Sequence, residues 1–212
     1  MRIIDLSHSI TDGMPVYPGT PKVNISSLAT VAIEGFAVRD LHLSSHIGTH
    51  MDAPAHMLAE GKTLDQFHLS KFTGSACIIP FTHDDIDGMN LTEYLSQFED
   101  DIKECDFVIL QTNWSTKWGT KEYFSDFPAL DQESAKYLAS FYLSGIGIDS
   151  ISIDVHDSED YKVHHILLNK EIVIIENLCN LENVNMQNIK FSAFPLAIKD
   201  ADGSPVRAMA EY

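Results

Sequence analysis

The sequence predicts a mixed α/β domain, a sheet layer with helices at its periphery. Three observations carry this. Short apolar or β-branched runs outnumber segments of helical periodicity, the two kinds are interspersed along the chain, and no repeat, low-complexity tract or linker-like stretch divides the 212 residues. A chain this long falls in the range of one domain, taken as residues 1–212. It should bury roughly 70% of the surface its unfolded form exposes, enough for a core without disulfides or other staples.

Arg2–Ser9 reads as the first strand. Gly13-Met14-Pro15-Val16-Tyr17-Pro18-Gly19 carries two prolines and two glycines and is a shaped loop. Val23–Ile33 and Phe36–Ser44 read as two strands joined by a Glu34-Gly35 turn. Ala76–Pro80, Phe107–Gln111, Ile146–Ile153 and Ile172–Glu176 are short apolar runs of the kind found in strands covered on both faces. Ile189–Pro195 and Ser204–Ala210 add two more, the latter after an Asp202-Gly203 turn. Asp131 is placed as a helix N-cap, followed by Ala135, Leu138, Ala139 and Tyr142 on one face. Leu91–Phe98 and Val163–Leu168 read as two further short helices. The polar stretches Thr82–Asn90 and Asp157–Lys162 read as loops.

Lys and Arg number 14 and Asp and Glu 31, a formal charge of −17. Such a surface repels nucleic-acid phosphates and anionic membranes, so neither is expected as a partner. No signal-peptide pattern follows Met1, and no apolar run approaches the length of a membrane span. Cys77, Cys105 and Cys179 are odd in number, widely spaced and set among apolar neighbours, which predicts buried, inert thiols. These features suit a cytoplasmic protein.

Ten histidines in 212 residues predict about 0.7 in a 15-residue window, yet His42–His56 holds four. Imidazole and carboxylate are the usual ligands of zinc and similar divalent metals. His46, His50 and Asp52 offer two nitrogens and an oxygen within seven residues. Gly48 and Pro54 break any continuous helix, so a strand is expected to end near His46, with a turn folding the other ligands back. Three protein ligands leave a position free for chemistry. His42 has no evident partner, and His68 and His83 read as surface residues. Further along, Glu176 ends a four-residue apolar run and needs a partner, which could be a metal, an arginine or a helix N-terminus. His164 and His165 compete as its companion ligand, and spacing does not choose between them.

The stretch His46-Ile47-Gly48-Thr49-His50-Met51-Asp52-Ala53-Pro54-Ala55-His56 resembles the signature of a cyclase family of metal-dependent hydrolases, which includes bacterial kynurenine formamidases (arylformamidases) and isatin hydrolases. The resemblance extends to Met14–Gly19, Gln111–Trp114, Trp118-Gly119, Gly147–Asp154, His164…Glu176-Asn177-Leu178 and Asp202–Ala208. It therefore covers essentially the whole chain. It implies a swivelling β/β/α fold and a homodimer or homotetramer. It implies His46, His50 and Asp52 as ligands of one divalent ion, with Asp52 bridging to a second held by His164 and Glu176. Zinc is the first expectation and manganese the other, with one or two ions per subunit. The Leu-Leu and Glu-Asn-Leu frame selects His164 over His165, and His56 becomes the acid/base. Kynurenine formamidases tend to carry Trp where this chain has Tyr17, which can still stack on an aryl ring and adds a hydroxyl donor.

The expected activity is therefore metal-dependent hydrolysis of a small-molecule amide C–N bond. The first substrate is an aryl formamide such as N-formylkynurenine, an intermediate of tryptophan catabolism. Hydrolysis of a cyclic amide such as isatin, cyclisation or dehydration, and metal binding without catalysis are the competing readings. No Gly-x-Ser-x-Gly elbow is present, which removes a serine hydrolase.

Overall fold

Four consecutive apolar residues make Phe107–Gln111 (β6) a strand that needs cover on both faces, and the first four are buried. A computed structural model describes residues 1–184 and 188–212. In it, β6 lies parallel to Thr73–Pro80 (β5) on one side and Gly145–Ile148 (β7) on the other, and β7 lies parallel to Val173–Glu176 (β8). Side chains alternate across this parallel group. Phe107 and Ile109 face one cluster with Met51, Ile175 and Phe191. Val108 and Leu110 face a second with Leu95, Leu138 and Leu167.

Antiparallel strands complete the sheet. His50–Asp52 (β4) pairs with β8, Gly203–Glu211 (β10) pairs with β4, and Asn188–Pro195 (β9) pairs with both β10 and β5. The seven strands thus close on themselves, leaving no free edge in the ring. Ile3–Asp5 (β1) adds to the far end of β10, Ile3 opposite Glu211. The interior is side-chain filled, and glycine makes room where strands crowd. A Cβ on Gly145 would come within 2.8 Å of both Phe107 and Val173.

Helices cover the outer face of the parallel strands. Leu91–Ser96 (α1), Gln132–Leu138 (α2) and Lys162–Leu168 (α3) supply Leu95, Leu138 and Leu167 to the outer cluster. The cap of α2 is as expected, with Asp131 Oδ1 accepting from Ser134 N at 2.8 Å. No helix among the described residues is long and apolar enough to cross a membrane. All three cysteines are buried free thiols.

Several boundaries differ from the sequence expectation. The run Ile146–Ile153 leaves the sheet after Ile148, because Asp149 turns back to accept from Thr112 N and Oγ1 and Glu176 takes the Ile153 N–H. The strand begun at Val23 is Asn24–Ala29 (β2), bulged between Ser27 and Ala29. One helical turn, Val31–Glu34, follows, and Gly35 at φ 80° closes it before Val38–His42 (β3). Because α2 stops at Leu138, Tyr142 is fully exposed instead of on the helix's apolar face. Two short helices were not foreseen, His83–Ile86 within the polar stretch and Glu99–Lys103 after α1.

Candidate active site

Strand β4 positions the first two candidate ligands, His50 and Asp52. His50 and Asp52 alternate with Met51, so Met51 enters the barrel interior while both polar side chains face the side on which α3 packs. Directly across the ladder, His50 pairs with Glu176, the last residue of β8. Cross-strand register therefore sets an imidazole beside a carboxylate, with His50 Nε2 3.6 Å from Glu176 Oε2 and 3.4 Å from Asp52 Oδ1. His50 Nδ1 lies 2.8 Å from the Gly48 carbonyl, a contact in which the ring N–H donates, leaving Nε2 with a lone pair toward the carboxylates.

Two more imidazoles arrive from outside the sheet. His164, in the first turn of α3, sets Nε2 3.5 Å from Asp52 Oδ2 and 3.4 Å from Glu176 Oε1. Its Nδ1 donates to Asp154 Oδ2 at 2.5 Å, and Asp154 also accepts the Val163 and His164 backbone N–H groups. His46, in the loop after β3, places Nδ1 2.7 Å from Asp52 Oδ1 and Nε2 3.2 Å from Asp202 Oδ2. The His56 ring packs 3.9 Å from that of His46 and 6.0 Å from that of His164, centroid to centroid.

The charges are strongly coupled. Burial opposes ionisation of Asp52, but His46, His50 and His164 hold its carboxyl well below the usual range. Burial likewise opposes protonation of His46, yet the carboxylates of Asp52 and Asp202 raise it to about 9. His164 is raised well above its ordinary value by Asp154, Asp52 and Glu176, against the same burial penalty. His56 goes the other way, lowered chiefly by burial.

A cation fits this set. Asp52 is buried, and its Oδ2 has no hydrogen-bond partner, an expensive state unless a positive centre completes it. Nitrogen and oxygen donors cluster as His50, Asp52 and Glu176, and as His46, Asp52 and His56, each set within 4.8 Å and sharing Asp52. The five residues expected as ligands are thus brought together, and Asp52 lies between both sets. The grouping differs in two respects. His56 stands within ligand reach of His46 and Asp52, and His50 shares the Glu176 side with His164. Sequence reasoning missed Asp154 and Asp202 as carboxylates orienting His164 and His46. Their signals were available, an acid ending an apolar segment and an acid in the Asp-Gly turn. His42 is exposed and bonds only Asp40, and His68 and His83 are exposed.

The cluster lines a cavity of about 400 Å³. Tyr17 reaches its wall and is 38% exposed. Tyr161 lies beside it, a non-glycine residue at φ 45° immediately before α3. Burial and the neighbouring Tyr161 push the Tyr17 hydroxyl up to about 12, so it stays a donor.

Comparison with known proteins adds to this geometry. A family model described as "Putative cyclase" matches residues 4–155. The kynurenine formamidase of Bordetella avium is 33% identical, the match covering 98% of this chain and 97% of that protein. A structure described as a predicted metal-dependent hydrolase from Bacillus stearothermophilus superposes with a TM-score of 0.75 at 27% identity, over 99% of this chain and 97% of the other. An isatin hydrolase bound to the product analogue thioisatinate superposes with a TM-score of 0.86 at 21% identity, over 98% and 91%.

Proposed function

The chain belongs to this cyclase family, and within it we propose a metal-dependent hydrolase that cleaves the C–N bond of a small aryl amide, with an N-formylkynurenine-like formamide as first substrate. The observation that carries the reading is the buried, unpartnered Oδ2 of Asp52, set among imidazoles and a second carboxylate in an aryl-sized cavity. The formamidase named above, similar over nearly its whole length, supports the choice of bond. His46, His50, Asp52, His164 and Glu176 would hold one or two divalent ions, zinc or manganese. When bound, such an ion supplies Lewis acidity, acidifying water and polarising a carbonyl.

The remaining work falls to the chain's own side chains. Tyr17 stacks on the substrate ring from the cavity wall, and its protonated hydroxyl donates to a polar substituent. Asp154 and Asp202 hold the His164 and His46 rings in position. His56, lowered by burial, is a neutral imidazole at pH 7 and can accept a proton from the attacking water. As the water oxygen bonds to the amide carbon, that proton passes through His56 to the departing nitrogen. The products are a carboxylate and an amine.

No lysine or arginine lines the cavity among the described residues. That favours a neutral substrate, and it supports hydrolysis of a cyclic amide of the isatin type as the second reading.

The test measures metal content and hydrolysis on the same preparations of wild type and His56→Ala, with N-formylkynurenine, formanilide and isatin. Wild type should carry one to two equivalents of divalent metal and hydrolyse at least one of the three. His56→Ala should keep its metal and lose roughly 10²–10⁴-fold in kcat, the usual range for a positioned acid–base group. Metal lost together with activity would make His56 a ligand. Metal retained with unchanged kcat would remove it from the mechanism, and metal bound without any hydrolysis would leave a metal-binding protein.

A further inference from the structure

The Tyr17 ring faces the cavity with little of its own loop to hold it. Met14 and Val16 pack with Val23 and Ile47, while Tyr17, between Val16 and Pro18, stays outside that cluster and exposed. One side chain does reach it, for the Tyr161 hydroxyl is hydrogen-bonded to that of Tyr17. Tyr161 is in turn an unusual residue for its position. It stands at φ 45° and ψ 45° where α3 begins, and its side chain makes no hydrogen bond to the helix. Glycine or asparagine takes that conformation more cheaply, and small polar residues are the usual helix caps. Capping is done from elsewhere, since Asp154 accepts the Val163 and His164 N–H groups. The Tyr161 backbone is nonetheless pinned. Its N–H donates to Ser158 Oγ at 3.1 Å, and its carbonyl accepts from His165 N at 3.0 Å. Its ring meets the His164 ring edge-on, 6.1 Å between centroids. A bulky side chain kept in a costly conformation at a cavity wall points to a task for that side chain.

We propose that Tyr161 is a positioning residue, which latches the Tyr17 loop to the start of α3 and so pre-orients the ring that stacks on the substrate. Both phenols line the cavity, and the bond between them ties two segments that are far apart in the chain. Tyr161 suits the post because its backbone and ring are fixed, whereas the Tyr17 ring is not fixed by its own neighbours. Each phenol carries one proton, so the bond uses one and leaves the other for a polar group of the substrate. A ring already in place need not be ordered when the substrate binds, and affinity gains by that difference. The effect on catalysis rests on the aryl-amide reading above, but the latch itself does not.

Two measurements on the intact protein test this. The first is steady-state hydrolysis of formanilide, whose ring offers no further polar group to Tyr17. Tyr161→Phe should raise KM about two- to tenfold, the cost of ordering one loose side chain on binding, with kcat unchanged. Tyr17→Phe should do the same, and the double variant should be no worse than either, because each change breaks one shared bond. The second is hydrogen exchange of the segment 13–20 in the ligand-free protein, which should quicken in Tyr161→Phe and no further in the double variant. Tyr161→Gly suits the positive φ, covers the case of a misfolded phenylalanine variant, and should show the same faster exchange. An unchanged KM, losses that add in the double variant, or unchanged exchange would overturn the proposal. A wild type that hydrolyses no aryl amide would sink the hydrolase reading instead, and the exchange data alone would then decide the latch.

Discussion

Replacing Gly203 with alanine should weaken metal binding at the proposed site without changing any of its candidate ligands. Gly203 lies on β10 directly opposite Asp52, and the His46 ring covers it. A Cβ there would sit 2.5 Å from His46 Cε1 and 2.6 Å from Nε2. Carbon contacts relax only near 3.5 Å, so the ring must retreat by about 1 Å. It has no slack, because Nδ1 is held at 2.7 Å by Asp52 and Nε2 at 3.2 Å by Asp202. A shift of that size breaks hydrogen-bond geometry on at least one side. Loss of comparable supporting contacts costs about 10–100-fold in metal affinity, or roughly 1.4–2.7 kcal/mol. The backbone itself raises no objection, since Gly203 is in ordinary strand conformation. The assay is competition for zinc or manganese between metal-free protein and a chromophoric chelator, with thermal unfolding of the same metal-free samples as control. Wild-type affinity in Gly203→Ala would refute the reasoning and free His46 from the ligand set.

Two further outcomes are expected. Tyr17→Ala should raise KM for an aryl substrate with metal content intact, by the loss of a packed aromatic worth on the order of 1–3 kcal/mol, and an unchanged KM for every accepted substrate would remove it from the substrate-binding residues. His8 is lowered by burial from 6.5 to about 4, stacking on Trp118 at 3.8 Å with its Nε2 unpartnered. A base depressed in the folded state leaves the unfolded chain holding more protons between those two values, so its contribution is complete above about pH 6.5 and shrinks as pH falls toward 4. The ring keeps part of its surface in water, which limits the loss to about 1–2 kcal/mol. Denaturant midpoints of wild type and His8→Gln should therefore converge or cross as pH falls, and parallel curves would count against it.

Where a residue's own surroundings decide its structure, the sequence was readable. Four apolar side chains in a row at Phe107 need cover on both faces, and β6 has the boundaries that need implies. Asp131 caps α2 through atoms three residues away. The histidine cluster was readable because four histidines in fifteen residues exceed composition so far. Strand β4 was not, since it is three residues long between Gly48 and Pro54, and only its neighbours β8 and β10 make it a strand. Asp202 escaped for the same reason, lying 156 residues from the ring it holds. The turn at Asp149 reflects side-chain hydrogen bonds to Thr112 that no local pattern announces.

The pairing of β10 with β1, β4 and β9 sets the timing of assembly during synthesis. Asp52 is translated early, but the strand that flanks it and the carboxylate that steadies His46 arrive roughly 150 residues later, a delay of about 8–30 s at ordinary elongation rates. Until then the ring is open along two strands, and non-local pairing of this kind is slow even once the chain is available. A ribosome-bound chain stopped before Asp202 would hold most of the sheet residues and all five expected ligands, yet could not lock them. Metal capture should therefore be a post-translational event. Truncations within β10 should be defective in metal retention as well as in folding.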